Sequence, residues 1–122
     1  MRSRYSAFAT REVAYLWRTL HPDHEDRALP EAQVVAAIRQ SCDTHRYPGL
    51  AILDRQPPDA SGIARILFHA RVFSRGKDVS FVELSRFAHD GKGWRYLDGA
   101  GRSAAEVGPC SGLTIAAFEA RP

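Results

Sequence analysis

Two carboxylates sit where a general base could work: Asp98, closing the Trp94-x-Tyr96-x-Asp98 alternation, and Glu83, between the aromatics Phe81 and Phe87. A carboxyl group held among apolar side chains titrates above its ordinary range and can take a proton near neutrality. On a strand, Trp94, Tyr96 and Asp98 share one face, so two rings would wall a pocket that ends in an acid. The competing reading packs both rings in the core and leaves Asp98 to cap the turn at Gly99. Alternation sets Glu83 with Ser85 and Phe87 and sets Arg86 with Val82 and Leu84, so acid and arginine cannot form one compact pair within their own strand. Across strands, Glu83 has His69 or Arg71 as the expected salt-bridge partner.

The opening Arg2-x-Arg4-Tyr5 is the most distinctive group. A guanidinium can clamp a carboxylate or phosphate through two parallel hydrogen bonds, or it can tie a terminal helix to the fold. Arg4, Arg11 and Arg18 recur every seventh residue and would form a basic stripe only if one helix ran through them. A break at Thr10 returns Arg11 and Arg18 to a solvated face. His21 and His24 have metal-ligand chemistry, but on a loop after a proline an HxxH has no fixed geometry, and no metal is expected. His21 is read instead as capping the carbonyls at the end of the preceding helix. The side chains expected to line a ligand pocket are therefore Arg2, Arg4, Tyr5, Trp17, His21, Arg86, Trp94 and Tyr96, with Asp98 and Glu83 as the catalytic candidates. Nothing matches a dinucleotide fingerprint, a P-loop, a nucleophile elbow or a zinc-protease helix, so no cofactor is implied. Cys42 and Cys110 form no CxxC pair, have no activating neighbour in sequence, and are read as reduced thiols.

The elements that must position these groups follow from periodicity. Thr10 offers an N-cap with Glu12 in the first turn, and Val13, Leu16, Trp17 and Leu20 make the buried stripe of a helix that ends at His21-Pro22. Pro30 opens a second helix that buries Val34, Ala37 and Ile38 and stops at Tyr47-Pro48-Gly49. Residues 50–53 form a short strand. Residues 62–73 form a longer one, apolar at every even position from Ala64 to Val72 and mixed on its odd face. Residues 79–89 follow through the Arg75-Gly76-Lys77 loop, and the Asp90-Gly91-Lys92-Gly93 turn leads antiparallel into residues 94–98. Helices followed by a meander give an α+β fold: N-terminal helices packed on a curved antiparallel sheet that closes into a cone with a pocket.

Several strings resemble the YchJ family. Met1-Arg2-Ser3-Arg4-Tyr5-Ser6-Ala7-Phe8 is similar to its RSRYSAF opening, and Tyr15 to Pro22 to its YLxxTWHP, with Leu20 in place of the tryptophan. Gly49-Leu50, Phe68 to Phe73, Glu83 to Phe87 and Trp94 to Gly99 match its later strand motifs in order, so the resemblance spans residues 1–99. It implies the central, nuclear-transport-factor-2-like domain of SEC-C motif proteins, a cystatin-like cone. The zinc of SEC-C segments does not carry over. After Gly99 only Cys110 remains, and a tetrahedral thiolate-rich site needs several such ligands. Residues 100–122 complete the expected single domain as a tail, a strand or a helix.

Composition narrows the function classes. The chain has 122 residues, 44% of them hydrophobic and 25% charged, with a net charge of +3, which is ordinary globular composition. The apolar stretches are far shorter than a membrane span, and no signal peptide opens the sequence. Basic and acidic residues are well mixed, whereas a dedicated nucleic-acid binder concentrates its charge. The expectation is a cytoplasmic binding or interaction domain for a small molecule or a protein, with a partly apolar pocket and a homodimer contact on the mixed sheet face. The alternatives are a lyase, isomerase or hydrolase using Asp98 or Glu83, and a ribosome-associated or nucleic-acid binder using the N-terminal arginines.

Overall fold

The computed structural model describes residues 1–121. Three helices come first: α1 (Arg2–Ala9), α2 (Val13–Arg18) and α3 (Glu31–Thr44). Thr10 does not start α2 as expected. It closes α1, and its hydroxyl donates to the Ser6 carbonyl at 2.8 Å. The break comes from the next residue, because Arg11 sits in the left-handed region at φ 62°, a conformation that no L-residue carries through a helix. The reversal is held by the Glu12 N–H donating to Ala7 O at 2.8 Å and by an Arg11–Asp43 ion pair of 2.7 Å to α3. Ala7, Leu16 and Cys42 form the centre of this helical layer, with Phe8, Val13 and Ile38 against them. Ala37, expected in that face, is exposed.

Helix α2 stops at Arg18, before the histidine-proline pair. Leu20 then pairs in parallel with Tyr96, through His21 N–H to Tyr96 O and Tyr96 N–H to Thr19 O, both 2.8 Å. The α2 carbonyls are not capped by His21. Arg27, from the short 3-10 turn Glu25–Ala28, donates to Trp17 O at 2.8 Å, and Arg4 donates to Leu16 O.

The strands are β1 (His45–Gln56), β2 (Ile63–Ser74), β3 (Lys77–Asp78), β4 (Phe81–His89) and β5 (Trp94–Ser103). They form one antiparallel sheet ordered β1-β2-β4-β5, with β3 paired to β2. Strand β1 is twelve residues long, because Tyr47-Pro48-Gly49 lies within it at a register shift and does not end the helix before it. Proline lacks the N–H of a ladder and is tolerated at such a bulge. Register also shifts between Ile52 and Asp54 and between Arg86 and Phe87, and bulges of this kind bend a sheet around the helices. The β2–β3 hairpin turns through Arg75 (φ 53°) and Gly76 (φ 79°), the two positive angles that a tight hairpin turn requires.

Both faces of the sheet are buried. Phe68, Ala70 and Val72 face the helices together with Tyr5, Tyr47 and Phe81. Leu67, Val82 and Leu84 face the other way, where α4 (Ala104–Val107), α5 (Ile115–Glu119) and the segment between them cover the strands with Val107, Leu113, Ile115 and Phe118. That face was expected to be mixed and open to a second copy. Its apolar part is instead occupied by the chain's own C-terminal segment. No helix among the described residues is long and apolar enough to cross a membrane.

Candidate functional site

The sheet's helix-facing side carries a largely buried polar cluster, with Glu83 and Tyr96 half-buried, that joins the N-terminal arginine motif to one of the candidate acids. Arg4, on α1, is only 7% exposed. Its Nη1 donates to Leu16 O at 3.1 Å and to the Thr19 hydroxyl, and its guanidinium lies 4.9 Å from the centre of the Tyr96 ring. Tyr96 passes the contact on: its hydroxyl donates to Glu83 Oε2 at 2.9 Å, and the fully buried Ser85 hydroxyl donates to the same oxygen. Glu83 has neither His69 nor Arg71 as its partner, because β4 sets it opposite Phe68, while His69 pairs with Val82. Burial lowers the Arg4 pKa, and Tyr96, Tyr15 and Glu83 restore only part of the loss. The Tyr96 phenol is pushed well above its ordinary value, first by burial and then by the Glu83 charge and hydrogen bond. Space for the cluster comes from β5, since a Cβ on Gly99 would collide with the Glu83 carboxylate and lie 2.7 Å from the Tyr96 hydroxyl.

Asp98 belongs to a different environment. The shift at Arg86/Phe87 pairs Tyr96 with Phe87 and Asp98 with Arg86, so the expected continuous Trp94-Tyr96-Asp98 face does not form. Arg86 Nε donates to Asp98 Oδ1 at 2.7 Å and Nη2 to Oδ2, a two-pronged ion pair with both side chains about half exposed. Arg86 holds the Asp98 carboxyl below the usual carboxylate range, the opposite of what a general base needs. A 550 Å³ cleft beside the pair is bordered by His24 and Glu25.

An apolar pocket of about 370 Å³ opens between α1, α3 and the sheet, walled by Tyr5, Phe8, Tyr47, Phe68, Phe81 and Val72. Its aromatic wall is interlocked: Tyr5 meets Tyr47 edge-on at 5.7 Å and Phe68 meets Phe81 at 6.1 Å. Tyr5 is anchored at both ends of its hydroxyl, donating to Arg71 O at 2.8 Å and accepting from Gly49 N–H at 2.7 Å. Burial pushes the Tyr47 phenol up to about 12. Phe81 and Glu83 lie two residues apart on β4 and so share a face, which sets the polar cluster beside the pocket.

The other predicted site residues fall outside both groups. Arg2 is exposed on α1. Trp17 is covered by Arg27, whose guanidinium lies 4.4 Å from a ring centre. His21 and His24 each accept a hydrogen bond through Nδ1 from the N–H two residues on, Asp23 and Asp26, both at 3.0 Å. Trp94 is 47% exposed and rests edge-on against His89, away from any core. No group of three or more His, Cys, Asp or Glu converges as a metal site among the described residues. Sequence reasoning missed Thr19, Ser85 and Gly99. Ser85 could have been found from its alternation with Glu83, whereas Thr19 and Gly99 depend on the Leu20–Tyr96 bridge and on side-chain volume.

The family model for the middle, NTF2-like domain of YchJ matches residues 1–99. The UPF0225 protein YchJ of Shigella dysenteriae serotype 1 (strain Sd197) is 33% identical over 110 residues, covering 90% of this chain and 69% of its own length. Among solved structures, a SEC-C motif containing protein from Rhodopseudomonas palustris superposes with a TM-score of 0.68 at 26% identity, covering 82% of this chain and 73% of that one. A second SEC-C motif containing protein, from Psychrobacter arcticus, gives 0.65 at 25% identity over 80% of this chain, which spans about half (56%) of that protein. With helices laid on a curved antiparallel sheet and the family's motifs in order, this chain belongs to the YchJ family, with residues 1–99 forming its middle, NTF2-like domain.

Proposed function

We propose that the domain is a binding module whose ligand is a small, planar and largely apolar molecule held in the aromatic pocket between α1, α3 and the sheet. The observation that carries this reading is the pocket wall of Tyr5, Phe8, Tyr47, Phe68 and Phe81 around about 370 Å³, within the size range of small-molecule sites. Edge-on and tilted rings favour a flat ligand. The general-base alternative is less well supported, because the Glu83 carboxylate is engaged by two hydroxyls and Asp98 by Arg86. A nucleic-acid reading loses Arg4 to burial and Arg11 to its ion pair with Asp43. In this reading the domain works in the cytoplasm, with Cys42 and Cys110 as free thiols.

A thermal-shift panel of indole, naphthalene and quinoline derivatives tests it. At a hundredfold excess over Kd a binder adds about 2.7 kcal/mol, a rise in Tm of about 5 °C or more. Ala70→Ile, which fills the pocket from its sheet side, should abolish that rise. A panel without any stabilising member, or a rise that survives Ala70→Ile unchanged, sinks the proposal.

A further inference from the structure

The two cysteines occupy opposite environments. Cys42 lies in the helical core, 7% exposed, and burial raises its thiol pKa. Cys110 lies partly exposed on the turn between α4 and α5, and its Sγ is 3.5 Å from His69 Nδ1 on β2. The turn is pinned on both sides. Val107 and Leu113 are buried in the core, Arg121 Nη1 donates to Val107 O at 3.1 Å, and Ile115 N–H donates to Asp54 Oδ2 at 2.8 Å. The thiol is therefore held against the imidazole by the fold, although the two residues are far apart in sequence.

His69 also lines an 820 Å³ cleft with Arg71, Arg102, Asp78, Ser80 and Ser103. Two arginines and one carboxylate line it; neither Arg71 nor Arg102 makes an ion pair among the described residues, and Arg102 Nη2 donates to Arg121 O at 3.0 Å. The cleft thus sets an imidazole and an excess of positive charge beside the Cys110 thiol, which reaches its edge through the contact with His69.

We infer that Cys110 and His69 form a reactive thiol–imidazole pair that undergoes exchange with small anionic disulfides drawn into the Arg71–Arg102 cleft. In the step, His69 accepts the Cys110 proton and Sγ attacks one sulfur of the incoming disulfide. A new Sγ–S bond forms, the old S–S bond breaks, and the other half leaves as a thiolate. The arginines attract the carboxylates of the incoming molecule and offset the negative charge that builds during attack. The disulfide supplies the oxidising equivalent, so no further reactant is needed.

The test uses dithiobis(nitrobenzoate), a dianionic disulfide, against dithiodipyridine, a neutral one, near neutral pH. With the dianion the native protein should release one equivalent of thiolate quickly and a second slowly. Mass mapping of partly modified protein should find the fast label on Cys110, and Cys110→Ser should leave only the slow phase. His69→Asn should slow the fast phase by about tenfold with either reagent. Arg71→Gln, an exposed substitution, should slow the dianion and leave the neutral reagent unaffected. Glutathione disulfide should give a mixed disulfide on Cys110 and not on Cys42. Mapping that shows Cys110 labelled no faster than Cys42 overturns the pair, and that measurement needs no variant to fold. Equal rates for the two reagents in native protein and in Arg71→Gln overturn the preference for anions.

Discussion

Strands β4 and β5 contribute to two arginine–carboxylate groups of similar composition and opposite character. In one, Glu83 and Tyr96 meet Arg4 and Ser85 under the helices. In the other, Arg86 and Asp98 face solvent as an isolated ion pair. The inner group has no carboxylate–guanidinium contact. A phenol stands between the charges, giving its ring to the arginine and its hydroxyl to the acid. Burial explains the difference, because a charge away from water needs several hydrogen-bonding neighbours, while an exposed pair can rely on one partner. The inner group should therefore hold α1 and α2 to the sheet, whereas the outer pair contributes little to stability.

Removing Arg4 tests this contrast most severely. Arg4→Ala leaves the Leu16 carbonyl, the Thr19 hydroxyl and the Tyr96 ring face without their partner, and should cost about 3 kcal/mol in urea unfolding. Arg86→Ala measured beside it should cost less than about 1 kcal/mol. Equal losses would show that burial does not separate the two groups.

Gly99 sharpens the comparison from the backbone side. Gly99→Ala drives a methyl into the Glu83 carboxylate and should cost about 2 kcal/mol. In a Glu83→Ala background the same substitution should cost much less, because the obstructing group is gone. A full cost in both backgrounds would place the strain in the Tyr96 hydroxyl or the strand itself.

The sequence carried the α+β order, the two long strands and the 90–93 turn, because their signals are local. Even-position apolarity from Ala64 to Val72 reports the helix-facing side of β2. Asp90 makes its turn by accepting from the Lys92 and Gly93 N–H groups at 2.8 and 3.0 Å. Arg4 was legible as a special residue, but not its partners, since Leu16 O, Thr19 and Tyr96 are assembled by tertiary contacts. The register shift opposite Arg86 and Phe87 left no mark that alternation could detect, and it moved Asp98 away from Tyr96. Arg11 concealed the helix break in the same way, because an arginine at positive φ has no sequence signature. The Cys110–His69 contact joins the C-terminal segment to a central strand, beyond any local pattern.

The smallest expected effect has a distinctive pH signature. Hydrogen bonding from Arg86 lowers the folded-state pKa of Asp98 below its unfolded value of about 3.9. A depressed carboxylate pKa adds stability above the unfolded value, and that stability is lost as pH falls through the folded value. Asp98→Asn should thus be less stable than the native chain by under about 1 kcal/mol from neutrality down to about pH 4, given that both side chains are half exposed. The gap should close at lower pH and narrow in high salt, which screens an exposed pair. Asp90 is also held low, at about 2, by the Lys92 and Gly93 N–H groups, so only the difference between the two proteins isolates Asp98. A gap that persisted below both pKa values would mean that Asp98 acts through packing and not through its charge. The outer group would then resemble the inner one, and the contrast between them would fail at its weaker end.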